Sequence, residues 1–169
     1  SQPVTEKSEL PTELLDLVAL GEIADMVSLT DENRTLVSWG LKQISDSPRP
    51  GIAALLKNAG QVADQPINSE TVSFKIAPRL NAVGRLGDAK LALDLLVSQD
   101  DDTAVNLATQ VEAINAQRQE IVEEVFGAAK QIALSDKYHD DQVLVIAGEN
   151  WHQGILGIVA SRLEIGRAS

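Results

Sequence analysis

The 169-residue chain contains no cysteine, which excludes disulfides, thiolate nucleophiles and zinc–thiolate sites. A reducing compartment suits such a chain, and a cytoplasmic location is the expectation. Aromatic residues amount to only 3%. The core must therefore be built from Leu, Ile, Val and Ala, which favour helix-rich packing or a small parallel sheet, and platforms for stacking nucleobases are scarce. Basic residues are also few: 14 Lys and Arg stand against 25 Asp and Glu, for a formal net charge of −11. That balance argues against broad, non-specific wrapping of nucleic acid. A narrow contact with phosphate stays open, particularly where metal ions neutralise carboxylates. No apolar run approaches the roughly 20 residues that cross a bilayer, and the polar N-terminus carries no secretory signal, so a soluble protein without a membrane partner is expected.

What is present suits one globular domain, or one domain plus part of another, with 44% hydrophobic and 23% charged residues. The expected fold class is α/β, predominantly helical. Residues 1–11 read as a polar tail. From Thr12, the residues Leu14, Leu15, Leu17, Val18, Leu20 and Ile23 give a helix too apolar for a half-solvated position. A second helix follows the acidic start at Thr30-Asp31-Glu32, and a third covers 51–58, closed by Gly60. Ser69-Glu70 starts a fourth carrying Val72, Phe74 and Ile76, although their alternation also permits a strand. A fifth runs from Asp88 to Leu96. The acidic cluster Asp100-Asp101-Asp102 reads as the N-terminus of the next helix, where carboxylates are favoured by the macrodipole. That helix runs without proline from Thr103 to about Ser135, a length of roughly 45–50 Å. Within it Asn115, Arg118 and Gln119 are polar; a solvated face is the default reading and a cleft the alternative. His139 beside Asp140 and Asp141 lies in a loop with no ligand partner at helical spacing, which makes a metal site there a weak reading. Val143 to Ala147 is a continuous apolar run of strand length, and Gly154 to Leu163 a helix after it, so the two form half of a βαβ unit.

Two places are hard to explain by packing alone. Thr71 to Lys90, TVSFKIAPRLNAVGRLGDAK, crowds Lys75, Arg79, Arg85 and Lys90 together with Asp88 alone opposing them. Pro78, Asn81, Gly84 and Gly87 read there as turn formers that could present backbone N–H groups and two arginines to a phosphate. On residue chemistry alone, a helical corner whose arginines pair with nearby carboxylates explains the stretch better. The second place is Asp25, directly after the first helix. It is either a helix-end residue or a metal ligand held by a rigid wall, and local chemistry favours the first.

Five segments in order, LDLVALGEIADMVSL at 15–29, ENRTLVSWGL at 32–41, RPGIAALL at 49–56, APRLNAVGRL at 77–86 and WHQGILGIVASRL at 151–163, resemble the bacterial RecJ family. These are single-stranded-DNA-specific exonucleases of the DHH phosphoesterase superfamily. The resemblance implies a fragment of a 5′-to-3′ exonuclease of DNA repair and recombination that uses Mn²⁺ or Mg²⁺ and acts on single-stranded DNA. It implies the C-terminal part of a DHH domain over 12–99, a long connector helix over 100–136, and the truncated start of a DHHA1-type domain over 140–169. Asp25 matches the last metal-binding aspartate of the DHH domain, reversing the local reading. Arg79, Asn81 and Arg85 match a segment lining the interlobe cleft, where phosphate contact is the implied role, and His152 is a DNA contact at the start of the second domain.

The family's other metal ligands would lie upstream, and its glycine-rich phosphate segment downstream. The two histidines here form no Asp-His-His triplet. The chain alone is therefore expected not to cleave DNA, and the unfinished α/β unit is expected to promote self-association. The competing function is a non-catalytic helical binding or scaffolding protein.

Overall fold

The computed structural model describes residues 12–62, 65–135 and 143–167. Every regular element among the described residues is helical: a 3₁₀ turn (Thr12–Leu14), α1 (Leu15–Ala24), α2 (Asp31–Asp46), α3 (Pro50–Asn58), α4 (Ser69–Thr71), a π-helical turn (Val72–Ile76), α5 (Ala77–Leu86), α6 (Lys90–Val97), α7 (Asp101–Ala133) and α8 (Gln153–Arg167). They fall into two compact units. The first lies within Ser1–Pro78 and Leu93–Ala108, the second within Arg79–Ala92 and Thr109–Ser169.

In the first unit α1 packs along α2, and both α1 and α3 pack on the π turn; Leu20, Ile23, Val37, Ile44, Ile52 and Leu55 of the three helices are all buried. Each such side chain contributes about 1.5–3 kcal/mol by leaving water. Two glycines permit the close approach. A Cβ on Gly40 would strike the Leu15 carbonyl and Ala19, and one on Gly51 would strike the Leu95 carbonyl. The first helix is buried or half-buried along most of its length, as its composition requires, yet it also buries a charge. Asp16 is 1% exposed. Its carboxylate accepts from Arg49 Nε and, at 2.8 Å, from Nη2. Arg49 also donates to the Glu13 carbonyl at 2.8 Å. The hydrogen bond to Asp16 raises the Arg49 pKa above its ordinary value.

Helix α3 begins with Pro50 at its first position, where the missing N–H costs nothing. It ends at Gly60 with φ +68°, as the sequence indicates. The Gly60 N–H donates to the Lys57 carbonyl and that of Gln61 to Leu56, the paired bonds of a Schellman close.

The second unit is built on α8 and on α7 from Thr109 onward, the first turns of α7 belonging to the first unit. Val122, Val125 and Ala129 of α7 pack on Ile155 and Val159 of α8, flanked by Leu86, Phe126 and Trp151. The start of α7 follows the acidic reading: Asp100 accepts from the Thr103 N–H at 2.8 Å, with Asp101 and Asp102 in the first turn. At 33 residues the helix is about 50 Å long.

Three expectations are corrected. Residues 143–147 form no strand, and no strand exists among the described residues, so the α/β class gives way to an all-helical one here. A strand is defined by its ladder, and no neighbouring run among the described residues supplies one. It keeps the alternation of an extended segment: Val143 and Val145 are 76% and 79% exposed, while Ile146 packs on the α7–α8 core. Second, Pro78, Asn81 and Gly84 do not turn the chain; they lie inside α5, and the corner is confined to residues 87–89. Third, the helix expected over Val72, Phe74 and Ile76 forms, but its cap is Asn68 rather than Ser69: Asn68 accepts from the Thr71 N–H at 2.9 Å. The polar tail over 1–11 and the His139-Asp140-Asp141 triplet lie outside the described residues.

Candidate functional site

Helix α5 carries a proline at its second position without a break, and the turn before it supplies the reason. The Ala77 N–H reaches back five residues to the Val72 carbonyl. The wider π turn gives the Pro78 ring room beside the carbonyl four residues earlier, the group it would otherwise strike. The α5 arginines thus stand on a continuous helix and diverge from it. Arg79 meets Glu112 of α7, with Nε and Nη2 at 2.5 and 3.3 Å from the two carboxylate oxygens. Arg85 donates from Nη1 to the Gly154 carbonyl of α8 at 2.8 Å. Asn81 is exposed.

A third guanidinium joins them. Arg118 on α7 is half-buried and donates from Nη2 to Asn115 Oδ1 at 3.0 Å, one turn back. Asn115 is 2% exposed. The Arg118 Nε is buried without a hydrogen-bond partner. Its pKa is lowered first by burial, then by repulsion from Arg85 and from Arg79. On sequence alone a solvated face is the default for Asn115 and Arg118; the structure buries the first and half-buries the second. Residue identity offers one retrospective signal: an Asn one turn before an Arg can hold its guanidinium from within the same helix.

At the start of α8, His152 accepts the Gly154 N–H at Nδ1, 3.1 Å away, so its imidazole caps the helix. The ring is exposed. Gly154 is required here, because a Cβ would come within 2.5 Å of the Arg85 carbonyl. Arg79, Asn81, Arg85 and His152 therefore belong to one unit, the second.

Asp25 belongs to the first unit. It is the residue after α1, its N–H donating to the Gly21 carbonyl at 3.0 Å, and its side chain is exposed. The helix-end geometry expected on local grounds is present. The close that holds it is again of Schellman type, Met26 N–H to Ile23 and Val27 N–H to Glu22, but with Met26 rather than glycine at φ +53°. A non-glycine residue in that region carries strain of roughly 1–2 kcal/mol. One turn before Asp25, Glu22 Oε2 is buried without a partner. Among the described residues no group of three or more His, Asp and Glu side chains converges. A hard divalent cation needs several oxygen ligands, so Asp25 could serve as one of a set but cannot hold such an ion with the described residues alone.

No family model matches the chain. Curated relatives and solved structures do. The single-stranded-DNA-specific exonuclease RecJ of Bacillus subtilis is 42% identical over 155 residues, 92% of this chain and 20% of that protein. A RecJ structure from Thermus thermophilus in complex with Mg²⁺ superposes with a TM-score of 0.81 at 35% identity, covering 92% of this chain and 24% of that one. The chain is homologous to a segment of RecJ. A RecJ structure bound to manganese gives a TM-score of 0.78 at 36% identity, over 90% of this chain and 38% of that one. The chain thus spans about a fifth to a quarter of the length of the curated RecJ relatives it matches. Among the described residues no helix is long and apolar enough to cross a membrane.

Proposed function

We propose that this chain is the central segment of a metal-dependent, single-stranded-DNA-specific 5′-to-3′ exonuclease, acting in the cytoplasm on DNA in repair and recombination. The likeness to RecJ across nine-tenths of the chain carries this reading. In it, residues 12–99 are the C-terminal part of a DHH domain, 100–136 the connector and 140–169 the beginning of a DHHA1-type domain. Asp25 contributes one ligand to a Mn²⁺ or Mg²⁺ centre, whose metal supplies water activation and relief of charge on the leaving oxygen when bound. Arg79, Asn81, Arg85 and His152 hold backbone phosphates.

The second unit's charge supports the phosphate role. Its α5–α7 face places three guanidinium groups within electrostatic reach of one another, with Glu112 paired to Arg79, in a chain whose net charge is −11. Charge of one sign gathered against the trend of the whole chain is what a polyanion's contact requires. The exposed Val143 and Val145 favour self-association of the isolated chain.

The experiment uses the intact protein that contains this segment, with end-labelled single-stranded DNA and Mn²⁺. Release of mononucleotides from the 5′ end is expected. Asp25→Ala should abolish cleavage while leaving DNA binding largely intact, and Arg85→Ala should weaken capture. Wild-type cleavage by both variants would overturn the assignments, and an intact protein without nuclease activity would overturn the reading.

A further inference from the structure

Arg118 is the one described arginine with a buried Nε that meets no acceptor. A buried donor left unpaired costs about 1–3 kcal/mol, and more when it is charged. The site adds a second cost, since Arg85 and Arg79 both repel the same guanidinium. Yet the group is held rather than released to solvent: Asn115, itself buried, ties it down through Nη2. The Glu112 carboxylate is turned to Arg79, with a bond to each oxygen, and the Arg118 Nε finds no partner there. A fixed cation with a spare N–H, beside two further cations, lacks an anion with several acceptor oxygens. Tetrahedral oxyanions meet that description, and guanidinium forks recognise them well.

We propose that Arg118 is a phosphate-binding residue: its Nε–H is reserved for a non-bridging oxygen of a nucleic-acid phosphate, Arg79 and Arg85 supply the surrounding positive charge, and Asn115 positions the guanidinium. The identity of the phosphate as part of single-stranded DNA rests on the function proposed above; the anion site itself rests on the geometry of the second unit.

The test labels the arginine side-chain nitrogens of the 169-residue chain and follows their Nε–H resonances by NMR, with Arg118 assigned by its loss in Arg118→Lys. Inorganic phosphate is titrated first, then a short oligothymidylate, then the same oligomer with an uncharged methylphosphonate backbone. The Arg118 resonance should move saturably with phosphate and with the charged oligomer and stay in place with the uncharged one. Arg118→Lys keeps the charge but loses the Nε–H, and should weaken oligothymidylate binding roughly tenfold. A resonance that stays in place at saturating phosphate and oligomer overturns the proposal, as does Arg118→Lys binding like the parent. If the Arg79 and Arg85 resonances move while that of Arg118 does not, Arg118 is excluded and phosphate capture by α5 survives. The titration on the parent chain needs no variant to fold, and the nuclease reading stands or falls separately on the cleavage assay of the intact protein.

Discussion

Arg85 and Gly154 are joined twice. The Arg85 carbonyl occupies the space a Cβ on Gly154 would need, and the Arg85 guanidinium donates to the Gly154 carbonyl at 2.8 Å. Gly154→Ala should therefore destabilise the second unit by about 1–3 kcal/mol, because the obstacle is backbone and cannot turn aside. The gain in helix propensity, roughly 1 kcal/mol, offsets only part of this. Chemical denaturation followed through Trp151 measures it; a variant as stable as the parent would show that α5 and α8 are not held this closely.

Met26 holds a glycine's conformation. Replacing it with glycine should stabilise the first unit by about 1 kcal/mol, since the side chain is 88% exposed and its loss removes little packing. The denaturant midpoint should rise with the slope unchanged. A fall would mean that Met26 contributes contacts outweighing its strain.

Arg49→Ala should cost about 3–5 kcal/mol, because it abandons the Asp16 carboxylate at a site 1% exposed. The double variant Asp16→Leu with Arg49→Met should recover most of the loss, the apolar pair needing no compensating charge. Equal losses in single and double variants would show that shape, not charge, sets the penalty.

Hydrogen bonds from Thr103 hold the Asp100 carboxyl below its ordinary aspartate value. A group with a depressed folded pKa stabilises above its unfolded value and loses that contribution as pH falls through the folded one. The first turn of α7 should therefore fray below about pH 4. Protection of the Thr103 amide, its exchange relative to the intrinsic rate at each pH, should fall over that range in the parent and lose this dependence in Asp100→Asn.

Glu112 neutralises part of the charge offered by α5. On the proposed function, Glu112→Gln should raise affinity for single-stranded DNA roughly two- to fivefold, as one partly buried ion pair gives up its negative charge, and the effect should shrink with added salt. Weaker binding would show instead that Glu112 is needed to aim Arg79.

Helices were legible wherever their ends were signalled by local chemistry. Gly60 closes α3 through its positive φ, and Asp100 with Asp101 and Asp102 opens α7. Local chemistry misled where a neighbour changed its meaning. Pro78 reads as a turn, and only the π turn before it makes a helix tolerable. Val143 to Ala147 reads as a strand, and strand pairing depends on a partner that no single run encodes. The site was legible in part: Arg79 and Arg85 stood out by their basic company, and the carboxylate pairing expected on residue chemistry is met at Arg79 by Glu112, 33 residues away. Asp16–Arg49 and the environment of Arg118 were not legible, because both join residues through tertiary packing that spacing along the chain does not reveal.

The chain's two tryptophans fall one to each unit. Trp39 on α2 is 59% exposed, with the Lys42 ammonium 5.8 Å from its ring centre. Trp151 lies against the α7–α8 core, its ring filling the space where Gly148 lacks a side chain. Their emission should differ in colour and in access to soluble quenchers, so replacing either indole with phenylalanine leaves a lamp in one half of the polypeptide. Whether the halves melt together or in sequence can then be read optically, without any added dye.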